Sequence, residues 1–158
     1  MNRNTKTIEI KRLHGPDLST FRSLIELFNM VFEEDPSNIG NNATLSGLLG
    51  KPRFIAMAAL NEKEVVGGLT AYELPMYYTD HPEVFLYDLA VKPAYQRMGI
   101  GKELIRSLKE ECSRNGVREF FVMAHAEDEH AIEFYRSTGG KSERVINFLY
   151  ETSESRSS

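Results

Sequence analysis

One stretch limits what this chain can fold into more than any other: Tyr87-Asp88-Leu89-Ala90-Val91-Lys92-Pro93-Ala94-Tyr95-Gln96-Arg97-Met98-Gly99-Ile100-Gly101. An apolar run stops at a proline, a short loop follows, and a helical pattern begins inside a turn that carries two glycines. Pro93 has no N–H to give to a sheet ladder, so a strand ends before it. From Gly99 to Asn115 the apolar residues Ile100, Leu104, Ile105 and Leu108 share one helical face, and Gly116 follows as a terminator. The first amides of such a helix have no partner inside it and lie at its positive end. Gly99 and Gly101 lack Cβ atoms, which lets a ligand approach the backbone closely. A phosphate or pyrophosphate suits a turn of this kind. The Lys-Ser/Thr pair of a Walker loop is absent, and so is the third glycine of the dinucleotide fingerprint.

Around this turn the sequence reads as one α/β domain over residues 6–150, with a polar, frayed tail at 151–158. Thr7 to Leu13 alternates like a strand. Pro16 and Asp17 open a helix whose apolar positions are Phe21, Leu24, Ile25, Leu27, Phe28 and Val31. Pro36 to Asn42 is a break, and Ala43 to Leu49 a short helix. Arg53–Leu60 and Glu64–Glu73 read as a hairpin across the polar turn Asn61–Lys63, and Glu83–Val91 as the next strand after a loop from Pro75. Beyond the glycine-turn helix come a strand at Arg118–Ala124, a helix at Asp128–Ser137 and a last strand at Glu143–Tyr150. The order is β-α-α-β-β-β-α-β-α-β.

Composition removes several function classes. At 158 residues, 41% hydrophobic and 27% charged, the chain has the size and make-up of one globular domain. Its net charge of −4 and lack of a basic stripe argue against nucleic acid as the main partner. No apolar run approaches the ~20 residues that span a bilayer, and Met1 to Lys6 lacks a secretory pattern, so cytoplasmic residence is the default. The single cysteine, Cys112, excludes an internal disulfide and shares a helical stripe with Leu104 and Leu108, as a small buried residue would. His81, His125 and His130 have no metal-ligand spacing, and no metal is expected. Acidic residues cluster at Glu33, Glu34 and Asp35, at Asp80 and Glu83, and at Glu127, Asp128 and Glu129. Such clusters are ordinary solvated surface unless they converge on one cleft.

Gln96-Arg97-Met98-Gly99-Ile100-Gly101 resembles the Gln/Arg-x-x-Gly-x-Gly/Ala acetyl-CoA signature of the GNAT acetyltransferases, preceded as in that superfamily by a strand ending Leu-Ala-Val. Ala131-Ile132-Glu133-Phe134-Tyr135, followed by Gly139-Gly140, resembles the second motif of the superfamily, Ala-x-x-x-Tyr before a glycine turn. Over nearly the whole chain, Leu27-Phe28, Phe54-Ile55-Ala56, Val65-Val66-Gly67, Ala71-Tyr72, Leu74-Pro75 and Tyr87–Val91 are similar in order and spacing to aminoglycoside 3-N-acetyltransferases of the gentamicin-modifying type. The resemblance implies the GNAT fold: a twisted, mixed but mostly antiparallel sheet flanked by about four helices. It also implies acetyl transfer from acetyl-CoA to a primary amine.

Site roles follow from the same resemblance. The backbone from Gln96, Arg97 and Met98 through Gly99, Ile100 and Gly101, with Lys102 beside it, would hold the CoA pyrophosphate. Leu89, Ala90 and Val91 would run beside the pantetheine arm, and Asp128, Ala131 and Tyr135 would complete the cofactor side. Tyr135 lies where a phenol can give a proton to the leaving thiolate. An aminoglycoside amine is largely protonated near neutral pH, so its attack needs a proton acceptor. Asp88, which interrupts the apolar run Val84 to Val91, is the first candidate and Glu83 the second. Glu33, Glu34, Asp35, Tyr72, Asp80, Glu83, Asp88, His125 and Glu127 would face a polycationic small-molecule acceptor. Three departures stand out: Asp128 where the superfamily often has Asn, His125 where the aminoglycoside enzymes are acidic, and Leu149 where they carry an aspartate. The resemblance also raises a homodimer that pairs through Val145 to Tyr150. The alternative acceptors are a polyamine, peptide or protein amine, and a non-catalytic CoA-binding module is the remaining reading.

Overall fold

The computed structural model describes residues 7–153, so the expected tail lies outside the described residues from position 154 on. The chain divides into two compact units, one ending at Met123 and the other beginning at Ala124. The first contains β1 (Ile8–Arg12), α1 (Leu18–Val31), α2 (Asn42–Leu49), β2 (Phe54–Asn61), β3 (Glu64–Leu74), β4 (Glu83–Val91), α3 (Ile100–Arg114) and β5 (Phe120–Val122). Its sheet runs β1-β2-β3-β4-β5 in sequence order. Neighbours are antiparallel up to β4, and β4 pairs with β5 in parallel. A parallel neighbour requires a crossover, and α3 supplies it.

Helices cover both faces of this sheet. Phe21, Leu24, Leu27 and Phe28 of α1 are buried with Leu45 and Leu49 of α2, against Phe54, Ala56, Ala58 and Ala90 of the strands. Burying a leucine such as Leu24 contributes about 1.5–3 kcal/mol, and this packing is close: a Cβ on Gly68 would lie 2.5 Å from a Leu24 methyl and 2.4 Å from the Met57 carbonyl oxygen. α3 buries Leu104, Ile105, Leu108 and Cys112. Arg12 on β1 pairs with Glu111 of α3, and its other guanidinium nitrogen donates to the Phe54 carbonyl at 2.9 Å. Burial pushes the Cys112 thiol up to about 11, with Glu111 and Glu73 adding to it, so the side chain stays a neutral core group as its helical stripe implied.

The second unit holds α4 (Glu129–Ser137). Asp128 caps it, its carboxylate accepting from the Ala131 N–H at 3.0 Å. Two expected strands change. Arg118–Ala124 contracts to Phe120–Val122, because only those three residues find ladder partners in β4. Glu143–Tyr150 forms no strand. An apolar, β-branched pattern gives propensity, but a strand also needs a neighbour to bond, and this segment is left unpaired with Val145, Ile146, Phe148, Leu149 and Tyr150 exposed by 68–86%.

Candidate active site

The turn that opens α3 has the backbone of an anion cradle. Arg97 and Gly99 both lie in the left-handed region, with φ of 62° and 82°, an arrangement that makes adjacent N–H groups converge. No side chain caps α3 at Gly99, which leaves its first amides open to a ligand. A Cβ on Gly99 would meet nothing within 4 Å, so the glycine answers a backbone requirement and a need for access, not a crowded neighbour. Neighbouring side chains fix the turn to the sheet. Gln96 donates to the Val91 carbonyl at 3.1 Å, while Asn61 donates to the Tyr95 hydroxyl at 3.0 Å. That hydroxyl donates to Glu64 at 3.2 Å, and Lys92 reaches the same carboxylate at 2.9 Å. Met98 and Lys102 are exposed and Ile100 is buried in the core.

Next to the turn, β4 has an open edge. β5 pairs with it only at Val84, Phe85 and Leu86. Among the described residues no strand covers that edge of Leu89, Ala90 and Val91, so backbone donors and acceptors there are available to an extended ligand.

On the α1 side of the sheet the structure gathers Glu34, Tyr72 and Asp88. Asp88 is half-buried, and among the described residues no hydrogen bond or ion pair engages its carboxylate. Burial pushes its pKa up, and the charge of Glu34 acts in the same direction. The end of α1 brings Glu34 there: Glu33 takes a left-handed φ of 56°, and the Glu34 N–H turns back to the Asn29 carbonyl at 2.9 Å. Buried Asn29 also donates to the Asn38 carbonyl at 3.1 Å, tying down the loop beyond. Burial raises the Tyr72 hydroxyl as well, and the charges of Tyr87 and Asp88 add to the effect.

Other expected acidic residues have different surroundings. The Asp35 carboxylate binds the N–H and hydroxyl of Ser37 at 2.8 and 2.7 Å, bonds that hold it below the usual carboxylate range. Glu83 accepts from the Tyr78 hydroxyl. Asp80 lines a separate cleft of about 260 Å³ with Arg53, Glu73, Thr79 and His81. Tyr135, Asp128, Ala131, His125 and Glu127 all stand on the second unit. There the Tyr135 carbonyl accepts from the Gly140 N–H and the Thr138 hydroxyl, both at 2.9 Å, and its ring meets Phe134 at 5.1 Å. Tyr87, absent from the sequence-based set, is the addition the structure makes: its ring lies 5.8 Å from Tyr72. Among the described residues, no group of three His, Cys, Asp or Glu side chains is placed to hold a metal ion.

A family profile described as "Acetyltransferase (GNAT) family" matches residues 20–139. The chain belongs to that family. Within the GNAT family, an aminoglycoside acetyltransferase from an uncultured soil metagenomic sample, solved with sisomicin, is 40% identical; the match covers 92% of this chain and 97% of that one, with a TM-score of 0.90. A second soil metagenomic aminoglycoside acetyltransferase is 35% identical over 93% of this chain and 99% of that one, with a TM-score of 0.89. Among curated proteins, the ribosomal protein bS18-alanine N-acetyltransferase of Escherichia coli K12 is 30% identical over 90 residues, 57% of this chain. That match spans only 60% of the length of the curated relative. The five-stranded, mostly antiparallel sheet and the helices around it are the GNAT fold that the two sequence motifs implied.

Proposed function

We propose that this GNAT chain transfers an acetyl group from acetyl-CoA to a primary amine of an aminoglycoside, at the 3-amino position, by direct attack with Asp88 as the base. The observation that carries the reading is the state of Asp88: a half-buried carboxylate without a partner, its pKa raised by burial and by Glu34. A structural aspartate in a sheet is ordinarily satisfied by hydrogen bonds or an ion pair. One whose pKa is raised and that has no partner is suited to take a proton from an ammonium group, directly or through water.

Acetyl-CoA supplies the activated thioester. The open amides from Gln96 to Gly101 hold its pyrophosphate, with Arg97 and Lys102 adding positive charge. The edge of β4 at Leu89–Val91 binds the pantetheine arm, and a β4 N–H stabilises negative charge on the reacting carbonyl oxygen. By the resemblance of its motif alone, Tyr135, on a helix capped by Asp128, is the proton donor to the leaving sulfur. Glu34 draws in the cationic acceptor beside Asp88. Glu33 and Asp35 add negative charge around it, His125 and Glu127 are acceptor-side residues by the resemblance alone, and Glu83, already bonded to Tyr78, is the weaker candidate for the base. The same reading includes cytoplasmic residence and a homodimer joined through residues 145–150, whose mass sedimentation velocity would read directly.

Two soil relatives named as aminoglycoside acetyltransferases, matched over nearly their full length, support the acceptor class. The bS18-alanine acetyltransferase, matched over 60% of its length, supports the second reading, a peptide or protein amine. Thiol release from acetyl-CoA, measured across aminoglycosides, linear polyamines and N-terminal peptides, separates them. Turnover of 2-deoxystreptamine compounds is expected, with NMR placing the acetyl group on the 3-nitrogen. Turnover of peptides alone would overturn the aminoglycoside reading, and turnover of nothing would leave a CoA-binding module.

A further inference from the structure

Four aromatic rings lie in a row beside Asp88, and the proton transfer above uses none of them. Tyr72 and Tyr87 meet edge to face, with centroids 5.8 Å apart and planes at 79°. Phe85 lies T-shaped against Tyr87 at 5.4 Å and stacks on Phe121 at 4.8 Å. Strict strand alternation forbids Phe85, Tyr87 and Asp88 from sharing one face. A β-bulge permits it. Leu86 pairs with Ala71 and Asp88 with Thr70, so Tyr87 has no partner in β3. Paired residues on neighbouring strands share a face. Asp88 therefore stands with Thr70, and Phe85 with Tyr72, on the face that α1 covers, whereas Leu86 turns with Ala71 to the opposite face. Bulges bend a strand and re-aim its side chains, and this one sets Tyr87 next to Asp88 and against Tyr72.

The rings are not needed for the core. Tyr87 is 58% exposed and Tyr72 36%, and Tyr72 touches the core through one ring, Phe54, at 5.2 Å. Two phenol rings beside an unpartnered carboxylate present aromatic surface on one side and negative charge on the other. An aromatic face attracts an ammonium group and also packs against the C–H face of a sugar ring. The geometry points to Tyr87, with Tyr72 beside it, as the residue that selects a cyclic, amine-bearing acceptor over a linear amine. Asp88 takes the proton from either, but only a ring carrying its amine on a rigid frame covers the aromatic surface while the nitrogen stays at the carboxylate.

This inference rests on the aminoglycoside reading, and kinetics separate their failures. Tyr87→Leu keeps bulk and removes the π face, while Tyr87→Phe keeps the ring. With wild-type-like melting curves as a control, Tyr87→Leu is expected to raise KM for a 2-deoxystreptamine aminoglycoside roughly 5- to 30-fold, the equivalent of about 1–2 kcal/mol. KM for acetyl-CoA, and KM for spermidine as the linear amine, should shift less than about threefold, and Tyr87→Phe should behave as wild type. Equal KM for the aminoglycoside in Tyr87→Leu and wild type overturns the inference and leaves the proposed function standing, as does an equal rise in KM for acetyl-CoA, which would mark a structural role. If wild type binds the aminoglycoside in calorimetry without acetylating it, the proposed function fails and the same variants are compared by Kd, with weaker binding by Tyr87→Leu supporting the inference. If wild type does not bind the compound at all, both fail.

Discussion

Asp88 shows how one position carries two opposed demands. Its pKa is raised, so the folded chain holds a proton there more readily than the unfolded chain does. Stability contributed at this site is present at low pH and is lost as pH climbs from the ordinary carboxylate value through the raised one. Asp88→Asn removes that charge at neutral pH, and the Tm of the variant near pH 7 should equal or exceed that of wild type. A loss of more than about 1 kcal/mol in thermal unfolding would identify a structural aspartate instead. The same substitution should lower kcat by about 10²–10⁴-fold with little change in KM for acetyl-CoA. It should also abolish the acid limb of the kcat/KM profile, whose midpoint in wild type lies above the ordinary carboxylate range. The sequence made Asp88 legible because a carboxylate interrupts an apolar run. It hid Tyr87, since period-two alternation sends neighbours to opposite faces and a bulge leaves no mark in composition. Glu34 was visible only as one of three acids; the left-handed turn at Glu33 singles it out.

Elements whose signals are local were read well, and those that depend on distant partners were not. α3 follows from Pro93, the glycine turn and a four-residue apolar stripe, all within two dozen positions. Its entry makes a direct prediction: Gly99→Ala forces a side chain into a φ of 82°, a strain of about 1–2 kcal/mol. That strain should appear as a raised KM for acetyl-CoA with the thermal midpoint only slightly lowered, measured by initial rates and calorimetry. Two other glycines contrast contact with propensity. Gly47 sits exposed within α2 with nothing near its missing Cβ, so Gly47→Ala should stabilise by about 0.5–1 kcal/mol in chemical denaturation. Gly68→Ala should destabilise by about 1–3 kcal/mol, because the sheet backbone and Leu24 already occupy that space. The β2–β3 hairpin was legible because its two strands are adjacent in sequence, whereas β1 pairs with β2 across α1 and α2. Residues 143–150 read as a strand from their side chains alone, and no sequence pattern says whether a neighbour is present to bond them.

For the whole chain, a net charge of −4 from 23 acids and 19 bases says little until the pairs are removed. Glu103 and Glu110 are engaged by Arg106, Glu111 by Arg12 and Arg114, Glu64 by Lys92 and Asp17 by Lys11. Among the described residues Glu34 and Asp88 have no such partner, so their negative charge is uncompensated on the α1 side of the sheet, where the acceptor is proposed to bind. A field of that kind raises the encounter rate of a polycation and weakens as the Debye length contracts from about 10 Å at 0.1 M salt to about 3 Å at 1 M. For an acceptor with several ammonium groups, kcat/KM should therefore fall by about 5–10-fold between 0.05 and 0.5 M salt, following the loss of steered association. For a monoamine the fall should stay within about twofold, since a single charge samples much less of the field. Glu34→Gln should flatten the salt dependence for the polycation while leaving kcat at saturation near wild type, because it removes attraction without removing the base. Initial rates across a salt series, with acetyl-CoA held saturating at each point, read both effects. A slope equally steep for monoamine and polycation would place the salt effect on the anionic donor at the α3 turn instead of the acceptor.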